Sequence, residues 1–92
     1  MNCEKIIREA KYHIDNQQYD SLQNLYTDLM NITSKEYRPN FEYIFQKIYL
    51  YACIKGDKEV IEWMKKIYDT FGDVEKIALK PTLIYGKYIF KN

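Results

Sequence analysis

Apolar residues recur at helical spacing along most of the chain, and the pattern is clearest between Phe41 and Phe71. At about 100° of rotation per residue, side chains three or four positions apart share one face of a helix. This stretch predicts two helices, over residues 41–55 and 58–71, that meet at Gly56-Asp57. The second helix has a single apolar stripe, formed by Val60, Met64, Ile67 and Phe71.

The helix 41–55 is apolar on two sides. One stripe consists of Phe41, Phe45, Ile48 and Ala52, and the other, on nearly the opposite side, consists of Tyr43, Leu50 and Ile54. Such a helix is either sandwiched between neighbours or presents one face to a partner. Tyr43, Leu50 and Ile54 are therefore candidate binding residues, and the alternative is that they pack on the N-terminal helices.

The N-terminal third predicts a helical hairpin. Cys3, Ile6, Ile7, Ala10 and Ile14 repeat at helical spacing over residues 2–15, where Asn2 suits the N-cap position. After a polar break, the pattern resumes from Tyr19 to about Ile32. We expect two antiparallel helices joined by a few residues.

Local signals in the connectors predict where the helices begin and end. In the polar segment 33–40, Pro39 should hold Arg38 out of the helical conformation, and Asn40 should cap the next helix. Gly56-Asp57 and Gly72-Asp73 predict the same junction twice, with Gly in a left-handed C-cap and Asp capping the next helix.

The C-terminal part permits two interpretations. The favoured one is a short helix from Val74 to Lys80, broken by Pro81, and a second helix over residues 82–90. The alternative is a β-hairpin over residues 83–90. The whole pattern predicts an all-α fold of five or six short helices in antiparallel hairpins, ankyrin-like or a compact bundle, in a single domain of 92 residues.

One stretch resembles a known family. Ala52-Cys53-Ile54-Lys55-Gly56-Asp57-Lys58-Glu59-Val60-Ile61-Glu62-Trp63-Met64 is similar to the core of an ankyrin repeat, and Gly72-Asp73-Val74-Glu75 resembles the ankyrin turn. The likeness covers about residues 49–86. It implies stacked helical hairpins that bind other proteins, as in divergent ankyrin-like proteins of large DNA viruses. The long helix 58–71 and the missing Thr-Pro-Leu-His depart from the family pattern.

Charge and composition narrow the classes of partner. Fourteen Lys and Arg against thirteen Asp and Glu give a net charge of +1, with both signs interspersed. No basic field favours nucleic acid or a membrane surface. The helix-turn-helix at Gly56 leaves a nucleic-acid binder as the alternative function. Because no apolar run suits a signal peptide or a membrane span, we expect a cytoplasmic protein, in the host cytoplasm if it is viral.

Catalytic and cofactor chemistry is not indicated. His13, the single histidine, lies at the edge of an apolar stripe, and Cys53 suits a small buried residue. A Cys53–His13 nucleophilic pair would lack an orienting third group. Cys3, His13 and Cys53 do not supply a zinc site, and no glycine loop suits a phosphate. We expect neither an enzyme nor a bound cofactor.

The remaining class is a protein-interaction module. Ten tyrosines suit binding surfaces because each combines a large contact area with a polar tip. The candidate partner-binding residues are Tyr37, Arg38, Tyr43, Leu50, Ile54, Trp63, Tyr85, Tyr88 and Phe90. The aromatic C-terminal segment predicts self-association or capture of another protein. The most specific hypothesis is a small viral or phage accessory factor that inhibits a host protein.

Overall fold

The computed structural model describes residues 2–32 and 38–90, which form five α-helices and, within those ranges, no strand. The helices are α1 (Cys3–Asp15), α2 (Tyr19–Ile32), α3 (Arg38–Lys55), α4 (Lys58–Asp69) and α5 (Asp73–Ile89). The predicted all-α class is confirmed. Among these helices, none is long and apolar enough to cross a membrane.

The chain is organised as two compact units. The first contains α1, α2 and α3 as far as Ile48, and the second contains the rest of α3 together with α4 and α5. In the first unit α1 packs against α2. Its buried apolar residues are Ile7, Ala10, Ile14, Leu22, Leu29, Phe41, Ile44, Phe45 and Ile48, and those of the second unit are Tyr49, Ala52, Cys53, Val60, Ile61, Met64 and Leu79.

The predicted hairpin of α1 and α2 is confirmed, and its turn has a defined hydrogen-bond pattern. Asn2 caps α1, since its Oδ1 accepts from the Lys5 N–H at 3.0 Å. At the other end the Gln18 N–H donates to the His13 carbonyl at 2.8 Å, while Gln17 is left-handed with φ of 54°. This is the Schellman arrangement, which usually has glycine at the left-handed position.

The start of α3 differs from the prediction. Arg38 already belongs to the helix, Pro39 lies in the first turn, and Asn40 is inside the helix instead of capping it. The first N–H groups of a helix have no internal partner, so a proline there costs no hydrogen bond. The rule on residues that precede proline therefore placed this boundary a few residues too late.

The buried face of α3 is one broad arc. It consists of Phe41, Ile44, Phe45, Ile48, Tyr49, Ala52 and Cys53, with spacings of three and four residues. The predicted stripe of Phe41, Phe45, Ile48 and Ala52 makes up four of the seven residues of this arc. The sequence interpretation left Ile44, Tyr49 and Cys53 out of this stripe, although it expected Cys53 to be buried, because it divided the apolar residues into two opposed stripes instead of one wide arc.

Only the first of the two predicted glycine junctions has the expected geometry. Gly56 is left-handed with φ of 70°, and the Asp57 side chain accepts from the Val60 N–H at 3.2 Å. Gly72 instead occupies the N-cap of α5 in an extended conformation, and Asp73 is the first residue of that helix. Here the acidic first turn favours the helix through its dipole, without a side-chain cap.

Helix α4 ends at Asp69, two residues before the predicted end. Val60, Ile61 and Met64 are buried, whereas the last two members of the predicted stripe, Ile67 and Phe71, are half-buried. The apolar face of α4 therefore becomes less buried towards its C-terminus.

Helix α5 continues through Pro81, contrary to the predicted break, and the β-hairpin alternative is wrong. Proline has no amide hydrogen, so the Ile77 carbonyl lacks its usual helical donor. Ile77 and Pro81 are both exposed, so water can donate to the Ile77 carbonyl. This reduces the cost of the missing helical hydrogen bond.

Candidate protein-binding surface on α5

One side of α5 packs against α3 at Gly86. Leu79 is fully buried, and Gly86 is buried against the side chains of Tyr49 and Cys53. A Cβ added at Gly86 would lie 2.6 Å from Tyr49 Cε1 and 2.9 Å from Cys53 Sγ. The absence of a side chain at Gly86 therefore allows the two helices to approach closely, and this contact fixes which side of α5 faces outward.

The outward side of α5 is an apolar stripe, which we call the α5 seam. Its members are Val74, Ile77, Pro81, Ile84 and Tyr88, which follow one another at alternating steps of three and four residues. Ile77 is 74% exposed, Ile84 50% and Tyr88 71%. Contiguous exposed apolar residues of this kind mark interaction sites more often than isolated ones do.

From Ile77 to Tyr88, the α5 seam lines a shallow groove of about 430 Å³. It is lined by Ile77, Lys80, Pro81, Ile84, Tyr85 and Tyr88. Two tyrosine rings and two isoleucines supply apolar area, while the tyrosine hydroxyls and the Lys80 ammonium supply polar groups. An amphipathic protein segment matches this combination.

Tyr85, Tyr88 and Phe90 were predicted together, and the structure separates them. Tyr85 and Tyr88 line the groove and are exposed, whereas Phe90 is the half-buried C-cap of α5. The Phe90 ring lies beside Gly56, at 3.7 Å from a Cβ added there. Phe90 thus covers the turn between α3 and α4 and is not part of the α5 seam.

The predicted second stripe of α3 is only partly available. The Tyr43 hydroxyl donates to Glu4 Oε1 at 3.0 Å, and this bond raises the pKa of Tyr43. The ammonium of Lys47 lies 5.5 Å from the centroid of the same ring. Leu50 is half-buried and Ile54 is 65% exposed. Within this stripe, Ile54 is an exposed apolar side chain, whereas the Tyr43 hydroxyl is already hydrogen-bonded to Glu4 of α1.

The other predicted binding residues lie elsewhere. Trp63 is half-buried on α4, Arg38 is the first residue of α3, and Tyr37 lies outside the described residues. Trp63 does not contribute to the lining of the α5 groove.

The sequence interpretation missed four members of the α5 seam, namely Val74, Ile77, Pro81 and Ile84. The alternating three- and four-residue spacing was present in the sequence and could have identified them. The expected helix break at Pro81 hid the pattern, because it divided the stripe between two short helices.

Nucleophilic chemistry at Cys53 is opposed by its surroundings. Burial raises the pKa of the Cys53 thiol, and this effect outweighs the lowering effects of the Tyr49 hydrogen bond and of Lys65. The thiolate is the nucleophilic form, so a raised pKa makes the group less reactive. His13 instead makes a 3.1 Å hydrogen bond from Nδ1 to Gln18 Oε1, at the end of α1.

Metal binding and nucleic-acid binding have no support in the parts of the chain that are described. No group of three or more His, Cys, Asp or Glu there could hold a metal ion. On α4 the exposed Glu59 and Glu62 lie between the exposed Lys58 and the exposed pair Lys65 and Lys66. This mixture gives a phosphate backbone no continuous basic surface on that helix.

Comparison with known proteins gives no family. No protein-family model, curated protein or solved structure matches the chain. The resemblance to ankyrin repeats therefore stays a prediction from the sequence.

Proposed function

We propose that this chain is a non-enzymatic protein-interaction module that binds a partner protein through the α5 seam. The observation that carries the proposal is the exposure of a contiguous apolar stripe on a helix whose opposite side is anchored by Gly86 and Leu79. Burial of such a stripe by a partner removes apolar surface from water, at about 25 cal/mol per Å².

The chemistry of the groove fits a protein partner better than a small molecule. The groove is shallow, whereas ligand pockets usually enclose most of a bound molecule. Tyrosine is also among the residues that dominate the energetics of protein interfaces. Tyr85 and Tyr88 are therefore the expected anchors.

A finer form of the proposal concerns biological role. Its size, composition and ankyrin-like stretch support a small viral or phage accessory factor that binds and inhibits a host protein in the cytoplasm. The α5 seam would then be the inhibitory surface, because it would occupy the site that the host protein uses for another contact.

Site-specific photo-crosslinking tests the interaction. A photoreactive phenylalanine analogue would replace Tyr88 or, as a matched control, Tyr12, which is an exposed tyrosine of α1. In cells that make the protein, we expect a discrete crosslinked partner from position 88 and none from position 12. The change Ile84→Asp should abolish this product, and Ile54→Asp should preserve it. An equal product from both tyrosine positions, or none from position 88, would contradict the proposal.

A further inference from the structure

The α5 seam has the spacing of a coiled-coil interface. In a heptad, apolar residues occupy positions a and d, which are separated alternately by three and four residues. Val74, Pro81 and Tyr88 fall at a, while Ile77 and Ile84 fall at d. The buried Leu79 and Gly86 both fall at f, directly opposite the seam. The exposed residues therefore occupy positions a and d of the heptad, and the buried residues occupy position f. In a coiled coil, positions a and d form the face that packs against another helix.

The flanks of the α5 seam differ in charge. On one flank, position g holds Asp73, Lys80 and Lys87, all of them exposed. On the other flank, position e holds Ala78 and Tyr85. Residues at e and g determine partner choice in coiled coils, since they face the flanks of the opposing helix. Along the centre and C-terminal half of the seam, this helix therefore presents a basic edge and an uncharged edge.

A second copy of the chain leaves like charges in contact along these flanks. In antiparallel pairing, position g faces position g: one register brings Lys80 against Lys87 of the other copy, and the other brings Lys80 against Lys80 while Lys87 faces Asp73. Acidic residues along one edge of a different helix would remove these contacts between lysines. In parallel pairing, position g faces position e, so the lysines meet Ala78 or Tyr85 and no carboxylate. Like charges repel across such an interface, and unpaired ones add no specificity.

We infer that the α5 seam binds an amphipathic helix of a different protein, with apolar residues in a heptad pattern and acidic residues along one edge. This inference rests on the proposed function and specifies the chemistry of its partner. Carboxylates on the incoming helix pair with Lys80 and Lys87, while its apolar residues cover Ile77, Ile84 and Tyr88. In the helix-in-groove mode of recognition, an amphipathic helix is likewise bound through apolar residues spaced three and four positions apart.

Designed peptides provide the test. Two synthetic helices of about three heptads would share leucine at a and d and differ only in the flanks, with Glu in one and Lys in the other. Fluorescence anisotropy would measure their binding to the full chain. We expect the acidic peptide to bind about tenfold more tightly than the basic one, and added salt to reduce this difference.

A charge swap gives the matched control. Lys80→Glu combined with Lys87→Glu changes two exposed side chains, so circular dichroism should show an unchanged fold. We expect this variant to reverse the preference and bind the basic peptide more tightly. Ile84→Asp should weaken both peptides, whereas Ile54→Asp should affect neither.

Three outcomes would overturn the inference. They are equal binding of the two peptides, binding that Ile84→Asp does not weaken, and absence of peptide binding together with sedimentation as a dimer, which would assign the face to a second copy. The crosslinking experiment separates these failures from that of the proposed function. A partner crosslinked through position 88 whose capture is unaffected by the charge swap would retain the function and reject the acidic helix.

Discussion

Gln17 adopts the left-handed backbone conformation that glycine adopts most easily, with φ of 54° at the end of α1. A side chain in that region costs about 1 kcal/mol relative to glycine. We therefore expect Gln17→Gly to raise the free energy of unfolding by about 1 kcal/mol, as measured by urea denaturation. Gly56→Ala is the matched reverse change, because Gly56 has φ of 70° in the equivalent turn. A less stable Gln17→Gly protein would contradict the assignment.

Tyr49 should make stability depend on pH in the alkaline range. Burial, with a smaller effect from Cys53, raises the pKa of Tyr49 from its ordinary value of 10.0 to about 12. The unfolded chain ionises this phenol first, so its contribution is fully present below pH 10 and is lost as the pH rises towards 12. We expect Tyr49→Phe to flatten this part of the decline in unfolding free energy. An identical pH profile in the variant would contradict the burial of the hydroxyl.

At the scale of the helix, α5 packs closely on α3 through Gly86. Alanine favours helix over glycine by about 1 kcal/mol, but overpacking in a core typically costs about 1–3 kcal/mol. Since the added methyl would meet both Tyr49 and Cys53, we expect Gly86→Ala to lower the free energy of unfolding in urea denaturation. Lys87→Ala, at the exposed neighbouring position, should leave it nearly unchanged. Equal stability of the two variants would exclude the close helix contact.

Pro81 lies inside α5 and should lower the stability of this helix. A proline inside a helix costs about 3 kcal/mol relative to alanine, whereas its stiffening of the unfolded chain returns about 0.4–1 kcal/mol. The net expectation for Pro81→Ala is stabilisation by about 2 kcal/mol, measured in the same denaturation experiment. Helix content by circular dichroism should not rise, because α5 already continues through this residue. Destabilisation would mean that the proline ring makes contacts that alanine cannot replace.

The helices differ in how far the sequence could predict them. Capping and spacing located α1 and α2 closely, because Asn2 and the polar residues near Gln17 act through neighbouring backbone groups. The start of α3 and the continuation of α5 through Pro81 were predicted less well. Proline rules describe average preferences, and the positions of Pro39 in a first turn and Pro81 on an exposed side depend on where each helix begins and packs.

For the whole molecule, binding and stability should be separable. Ile84 is 50% exposed, so we expect Ile84→Asp to change the free energy of unfolding by no more than about 0.5 kcal/mol. Ile44 is fully buried, and Ile44→Asp should prevent folding because it would bury an unpaired charge. Thermal denaturation of both variants checks this contrast. A large loss of stability in Ile84→Asp would mean that the α5 seam belongs to the core.

The candidate surface could be predicted only in part for a related reason. Tyr85 and Tyr88 were recognised from their residue type, and both line the groove. Tyr43 was also chosen by type, but its hydroxyl is engaged by Glu4. Distinguishing these tyrosines requires knowledge of contacts between residues distant in sequence, which periodicity does not contain.

The close packing of Gly86 against α3 also affects how quickly a partner can bind. Because the contact fixes the rotation of α5, the seam residues already point outward before any partner arrives. The α5 backbone therefore loses little conformational entropy when a partner binds. This preorganisation favours affinity. The association rate would then depend on diffusion, orientation and the attraction of Lys80 and Lys87 for acidic groups, without a preceding folding step.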